Sequence, residues 1–153
     1  AGATAAQVAA DTALDMERAT FITRGTVAAD EVAVEQRLYA HWTRPHLLVQ
    51  EFQLTATEAG AEVAFTEPLQ ESLWTSGPDF EGHALTPAKP GLRIVEGQTR
   101  ISETTTSNTT RVVIISTTPA PVAVAAHTTL TVYVLHAIVT SLNGTNDFAD
   151  LVT

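Results

Sequence analysis

The stretch Glu31-Val32-Ala33-Val34-Glu35-Gln36-Arg37-Leu38-Tyr39 decides the fold class. Val32, Val34 and Leu38 fall on one side of an extended chain, and Glu31, Glu35, Arg37 and Tyr39 on the other. That period of two belongs to a strand with one buried and one wet face. On either side of it the chain repeats the same vocabulary. Threonine is the commonest polar residue and clusters with valine and isoleucine, all stiff at χ1 and favoured on a pleated backbone.

Working outward, the segments that read as strands are Thr12 to Arg24, Val32 to Trp42, His46 to Thr55, Ala61 to Glu67, Leu92 to Ser102, Thr110 to Thr118, Pro121 to Ala126 and Thr128 to Leu142. Breakers separate them: Arg24-Gly25, Arg44-Pro45, Ala59-Gly60, Ser76-Gly77-Pro78, Pro87 to Gly91, Pro119-Ala120-Pro121 and Asn143-Gly144. The run Leu130 to Leu142 is apolar on both parities, which predicts a strand covered on both sides, either in the middle of the sandwich or at an interface with another chain. The run from Glu71 to Gly91, rich in Gly and Pro, reads as the longest irregular connection. No internal repeat and no amphipathic helix interrupts the pattern. The expectation is all-β: one antiparallel β-sandwich over 12–145, a flexible or strand-donating arm over 1–11 and a tail over 146–153.

The bulk properties narrow the function. The net charge of −9 leaves Lys89 as the only lysine, which disfavours a nucleic-acid partner. No apolar run approaches the roughly 20 residues of a membrane-spanning helix. Without cysteine there is neither a disulfide framework nor a thiolate metal site. No methionine or basic-then-apolar leader starts the chain, so Ala1 reads as a processed or trimmed end.

Candidate sites are sparse. Asn108-Thr109-Thr110 and Asn143-Gly144-Thr145 each match the N-glycosylation acceptor pattern, which implies a secreted, extracellular location. His41 and His46 flank Trp42-Thr43-Arg44-Pro45 across an expected turn, without a third ligand that would complete a zinc site. Asp79-Phe80-Glu81-Gly82-His83 brings carboxylates and an imidazole into one loop, but no nucleophile elbow, P-loop or metalloprotease motif accompanies it. Trp42, Trp74, Asp79 and His83 are therefore the candidate sugar-contact residues, with the two tryptophans read first as core anchors. His136, within the most apolar segment, is expected inside the fold or at an interface. No catalytic residue, cofactor or metal is called for.

A resemblance adds to this reading. The run Leu38-Tyr39-Ala40-His41-Trp42-Thr43-Arg44-Pro45-His46-Leu47-Leu48-Val49, then Gly77-Pro78-Asp79-Phe80-Glu81-Gly82 and His83-Ala84-Leu85-Thr86-Pro87, resembles the N-terminal β-sandwich domain of family 65 glycoside hydrolases. The likeness is greatest to the acid-trehalase-like branch that includes protein-glucosylgalactosylhydroxylysine glucosidase. In that family the catalytic groups belong to a following helical-barrel domain, so the resemblance implies a non-catalytic module, shortened at its front. A shortened sandwich has an open edge, and an open edge is a template for strand addition. The function expected first is thus a secreted structural module that self-assembles into a homo-oligomer or glycosylated fibre, through 1–10 or Asp147 to Thr153. The alternatives are a carbohydrate-binding module, or a processed non-catalytic subunit of a family 65-like glycosidase.

Overall fold

The computed structural model describes residues 11–27, 31–65, 80–86, 89–101 and 109–141. The extended elements among them are β1 (Asp11–Asp15), β2 (Thr20–Val27), β3 (Val32–Ala40), β4 (Leu47–Ala56), β5 (Ala61–Val63), β6 (Phe80–Leu85), β7 (Leu92–Thr99), β8 (Arg111–Thr117), β9 (Val122–Val124) and β10 (Thr129–Thr140). One sheet of eight strands runs in the order β1-β2-β3-β4-β10-β8-β7-β6, and β5 pairs with β9 in a second sheet of two. Every pairing whose register is defined is antiparallel. The all-β, antiparallel sandwich expected from the alternation is the fold that forms.

The chain divides into two compact units, one of 1–66 with 119–135 and the other of 67–118 with 136–153. In the first, the β3 alternation places Val32 at full burial beside Leu54, Ala56, Val63 and Val124, with Phe52, Phe65, Leu130 and Val132 packed around them. Leu54 and Val32 lie on adjacent strands and Val63 and Val124 on the small sheet, so this cluster is the seam of the sandwich. Phe52 and Phe65 meet edge to face with centroids 5.3 Å apart, the arrangement that the ring quadrupoles favour. In the second unit, Ile94 and Val113 are buried with Leu85, Ile115 and Val139 beside them, while Val95 and Ile114 bury against Val112 on the alternate parity. These strands are therefore apolar on both sides, as β-branched runs such as Val112-Val113-Ile114-Ile115 require.

Three expectations are corrected. The single strand from Thr12 to Arg24 is a hairpin, β1 against β2, with Asp15 opposite Thr20. Its turn is made by Asp15, whose Oδ1 accepts hydrogen bonds from the backbone N–H groups of Glu17 and Arg18, each at 3.1 Å. Ala19 then takes a left-handed φ of 49°. The turn carries no Gly or Pro, so only the aspartate signalled it.

The irregular run from Glu71 to Gly91 contains β6, whose short Phe-Glu-Gly-His-Ala-Leu sequence pairs fully with β7. Here Gly82 stands directly opposite Gly97, and the Phe80 ring occupies the space that a Cβ on either glycine would need. A cross-strand aromatic thus covers a glycine pair, which explains how a glycine-containing segment holds a place in the sheet.

The last long strand, β10, is not covered on both sides within this chain, which corrects the mid-sandwich expectation and leaves the interface alternative untouched. Val134 and His136 are buried, whereas Tyr133, Leu135 and Ile138 are exposed. The arm over 1–10 and the tail over 146–153 lie outside the described residues.

Candidate functional site

The wet face of β3 is the foundation of a polar ladder in the first unit. Glu35 lies opposite Arg24 on β2, and Arg37 lies opposite Glu51 on β4, so the antiparallel register itself places each carboxylate beside a guanidinium. Arg24 Nε donates to Glu35 Oε2 at 2.6 Å and Arg37 Nε donates to Glu35 Oε1 at 2.8 Å. Arg37 Nη1 also donates to Glu51 Oε1 at 3.3 Å. Tyr39 Oη donates to the second oxygen of Glu51 at 3.2 Å, and Gln53 Nε2 donates to the first at 3.1 Å. Six side chains on three strands are therefore joined into one network.

This network forms the wall and floor of a concavity of about 560 Å³, to which Thr20 and Ile22 of β2 add a less polar patch. The β1–β2 turn closes one end with the Asp15–Arg18 pair at 3.2 Å. The two arginines beside Glu35 hold its carboxyl below the ordinary carboxylate range, Arg24 contributing most. Backbone N–H donation from Arg18 does the same for Asp15. Tyr39 is pushed above the usual phenol range by burial first and by the neighbouring Glu51 charge second. Glu35 is thus held in its ionised form and Tyr39 in its protonated form, so at these two positions the face presents a fixed acceptor and a fixed donor.

A second, smaller concavity of about 310 Å³ lies in the other unit, lined by Glu81, His83, Glu96, Gln98 and Arg111. His83 is paired in register with Glu96, and Arg111 forms an ion pair with Glu96. This places His83 on a strand, in a polar setting. The carboxylate and imidazole of the Glu81-Gly82-His83 run thus sit two apart on one face of β6.

Among the other residues singled out from the sequence, Trp42 departs most from its expected place. It is 97% exposed on the turn between β3 and β4, not a core anchor. That turn is tightly made: His41 N donates to Leu47 O at 2.8 Å, Leu47 N to Arg44 O at 2.9 Å and Arg44 N to His41 O at 3.2 Å. His41 and His46 do flank it, as their spacing implied. Trp42 belongs to the first unit and His83 to the second. Trp74, Asp79, Asn108 and Asn143 lie outside the described residues.

Arg24 and Glu51 escaped the sequence reading because each is unremarkable within its own strand. Only the register of β2 and β4 against β3 makes them partners of Glu35 and Arg37. The available signal was the charge left on the wet parity of three successive strands.

The fold places the chain among known structures. A solved protein described as a kojibiose phosphorylase from the human microbiome is similar to it, with a TM-score of 0.55 and 10% sequence identity over 95% of this chain. The chain spans 22% of that protein's length. At this identity the likeness is one of fold, and it agrees at that level with the resemblance to family 65. No known protein family matches the sequence, and no curated protein does so either.

Proposed function

We propose that this chain is a non-catalytic β-domain of a larger carbohydrate-active assembly of the family 65 type. The observation that supports this most is the asymmetry of the fold match: nearly the whole chain is used, against about a fifth of the phosphorylase. The polar face adds support, since its carboxylates and guanidinium groups are engaged with one another in hydrogen bonds. In this reading bond cleavage belongs to further polypeptide or to a partner chain, and the β-domain supplies a docking and positioning surface. An antibody raised against the chain, used on native material under denaturing and non-denaturing conditions, tests this. A band several times heavier than 16.2 kDa, or a tightly held heavier partner, is expected. A free polypeptide of the chain's own mass with no partner overturns the reading, as does glucose release from α-glucosides by the purified chain alone.

One observation favours the second reading, a secreted module that self-assembles by strand addition. Among the described residues β1 is one of the two edge strands of the large sheet, and Leu14, Met16 and Phe21 are exposed on β1, its turn and β2. Exposed apolar side chains beside an edge strand are what edge protection normally removes. In this reading 1–10 or Asp147 to Thr153 of a neighbour adds to that edge. Sedimentation at neutral pH discriminates: concentration-dependent growth supports it, and a stable dilute monomer sinks it.

A further inference from the structure

We infer that the concave face formed by β2, β3 and β4 is a binding site for a neutral oligosaccharide. This goes beyond the accessory-domain reading, because it stands on the geometry of one face whether or not the chain belongs to a larger protein.

Charge is the first argument. The concavity is lined by three guanidinium groups, from Arg18, Arg24 and Arg37, and by three carboxylates, from Asp15, Glu35 and Glu51. Their formal charges cancel, within a chain of net charge −9. A free anion is repelled by the molecule and finds no excess positive charge at the site, and a cation finds each carboxylate already engaged by a donor. A ligand with hydroxyl groups and no charge meets neither obstacle.

Hydrogen-bonding capacity favours the same ligand. A guanidinium carries five N–H donors and a carboxylate about four acceptor positions, more than the ladder bonds of Arg24 and Glu35 consume. Hydroxyl groups, which donate and accept, can bridge such paired groups without breaking the pairs. The Tyr39 ring and Ile22 supply an apolar patch for the C–H face of a sugar ring. A volume of about 560 Å³ falls within the range of roughly 300–1,000 Å³ usual for small-molecule sites.

The face is also rigid. All six hydrogen-bonded side chains stand on β2, β3 and β4 of the first unit and are locked by their mutual bonds. Groups held this way lose little freedom on binding.

The test is an NMR titration of the labelled chain with maltose, cellobiose and inorganic phosphate, repeated with Tyr39→Phe, Arg37→Met and Trp42→Ala after thermal unfolding has confirmed that each folds. Saturable shifts in β2–β4 amides with a disaccharide are expected. Tyr39→Phe, which keeps the ring, and Arg37→Met are expected to raise Kd about tenfold, equivalent to about 1.4 kcal/mol. Trp42→Ala should leave it within about twofold. The inference is overturned if neither sugar gives saturable shifts, if phosphate binds this face more tightly than both sugars, or if Trp42→Ala abolishes binding while Tyr39→Phe and Arg37→Met do not.

Discussion

Ser116 Oγ lies 2.8 Å from His136 Nδ1, and both residues are buried on adjacent strands where the β8–β10 register sets them opposite each other. Arg93 of β7 lies opposite Ser116 in turn, so a serine separates the imidazole from a guanidinium within one row of the sheet. The hydroxyl can donate or accept, and it satisfies one ring nitrogen of a histidine that burial keeps below its ordinary value.

That burial has a pH consequence. Above the unfolded value of 6.5, the imidazole is neutral in both folded and unfolded chains and contributes no pH dependence. As pH falls below it, the unfolded chain takes up a proton that the native state resists, so stability falls, by at most about 1.4 kcal/mol per pH unit. His136→Gln is expected to flatten the decline of the unfolding midpoint between neutral and mildly acid pH. Parallel melts of both proteins measure this, and identical acid slopes refute it.

The glycine pair in β6 and β7 gives a packing prediction. A Cβ on Gly97 meets the Phe80 ring, the Glu81 carbonyl and the Gly82 backbone together. Because two of these are backbone, the site cannot yield cheaply, and Gly97→Ala should cost about 1–3 kcal/mol, as overpacking does. The same change at Gly91 meets only the Thr118 carbonyl but is strained by a φ of +78°, and it should cost about 1 kcal/mol. Urea unfolding of the two variants checks the order.

Leu54 and Trp42 should behave oppositely. Leu54 is 1% exposed at the sandwich seam, and Leu54→Ala should destabilise by about 2–5 kcal/mol. Trp42→Ala, on an exposed turn closed by backbone hydrogen bonds, should change stability by no more than about 0.5 kcal/mol. A large loss from Trp42→Ala would show that its exposure is not the resting state.

The acceptor triplets at Asn108 and Asn143 give a direct mass test. If the chain is secreted, as the second reading holds, native material treated with an N-glycan-releasing amidase should lose mass at one or both positions. Unchanged intact mass removes the argument for an extracellular location.

The sequence by itself determined the strand content of 31–65 and of 92–101 and 109–141, because alternation, β-branched runs and Gly or Pro breakers are local signals. It also showed which parity of β3 is wet. Local signals faltered where structure depended on one side chain or a distant partner: Asp15 turning a hairpin without Gly or Pro, Phe80 covering two glycines, Trp42 left on a turn. The departure of β10 from the mid-sandwich expectation, with Tyr133 and Leu135 exposed in this chain, has the same cause. Apolar parity tells what a strand tolerates, whereas burial depends on which layer lies over it. Tertiary structure alone decided the ladder of Arg24, Glu35, Arg37 and Glu51, since cross-strand register converts scattered charges into a surface, and register is fixed by pairing across turns and not by any one strand's composition.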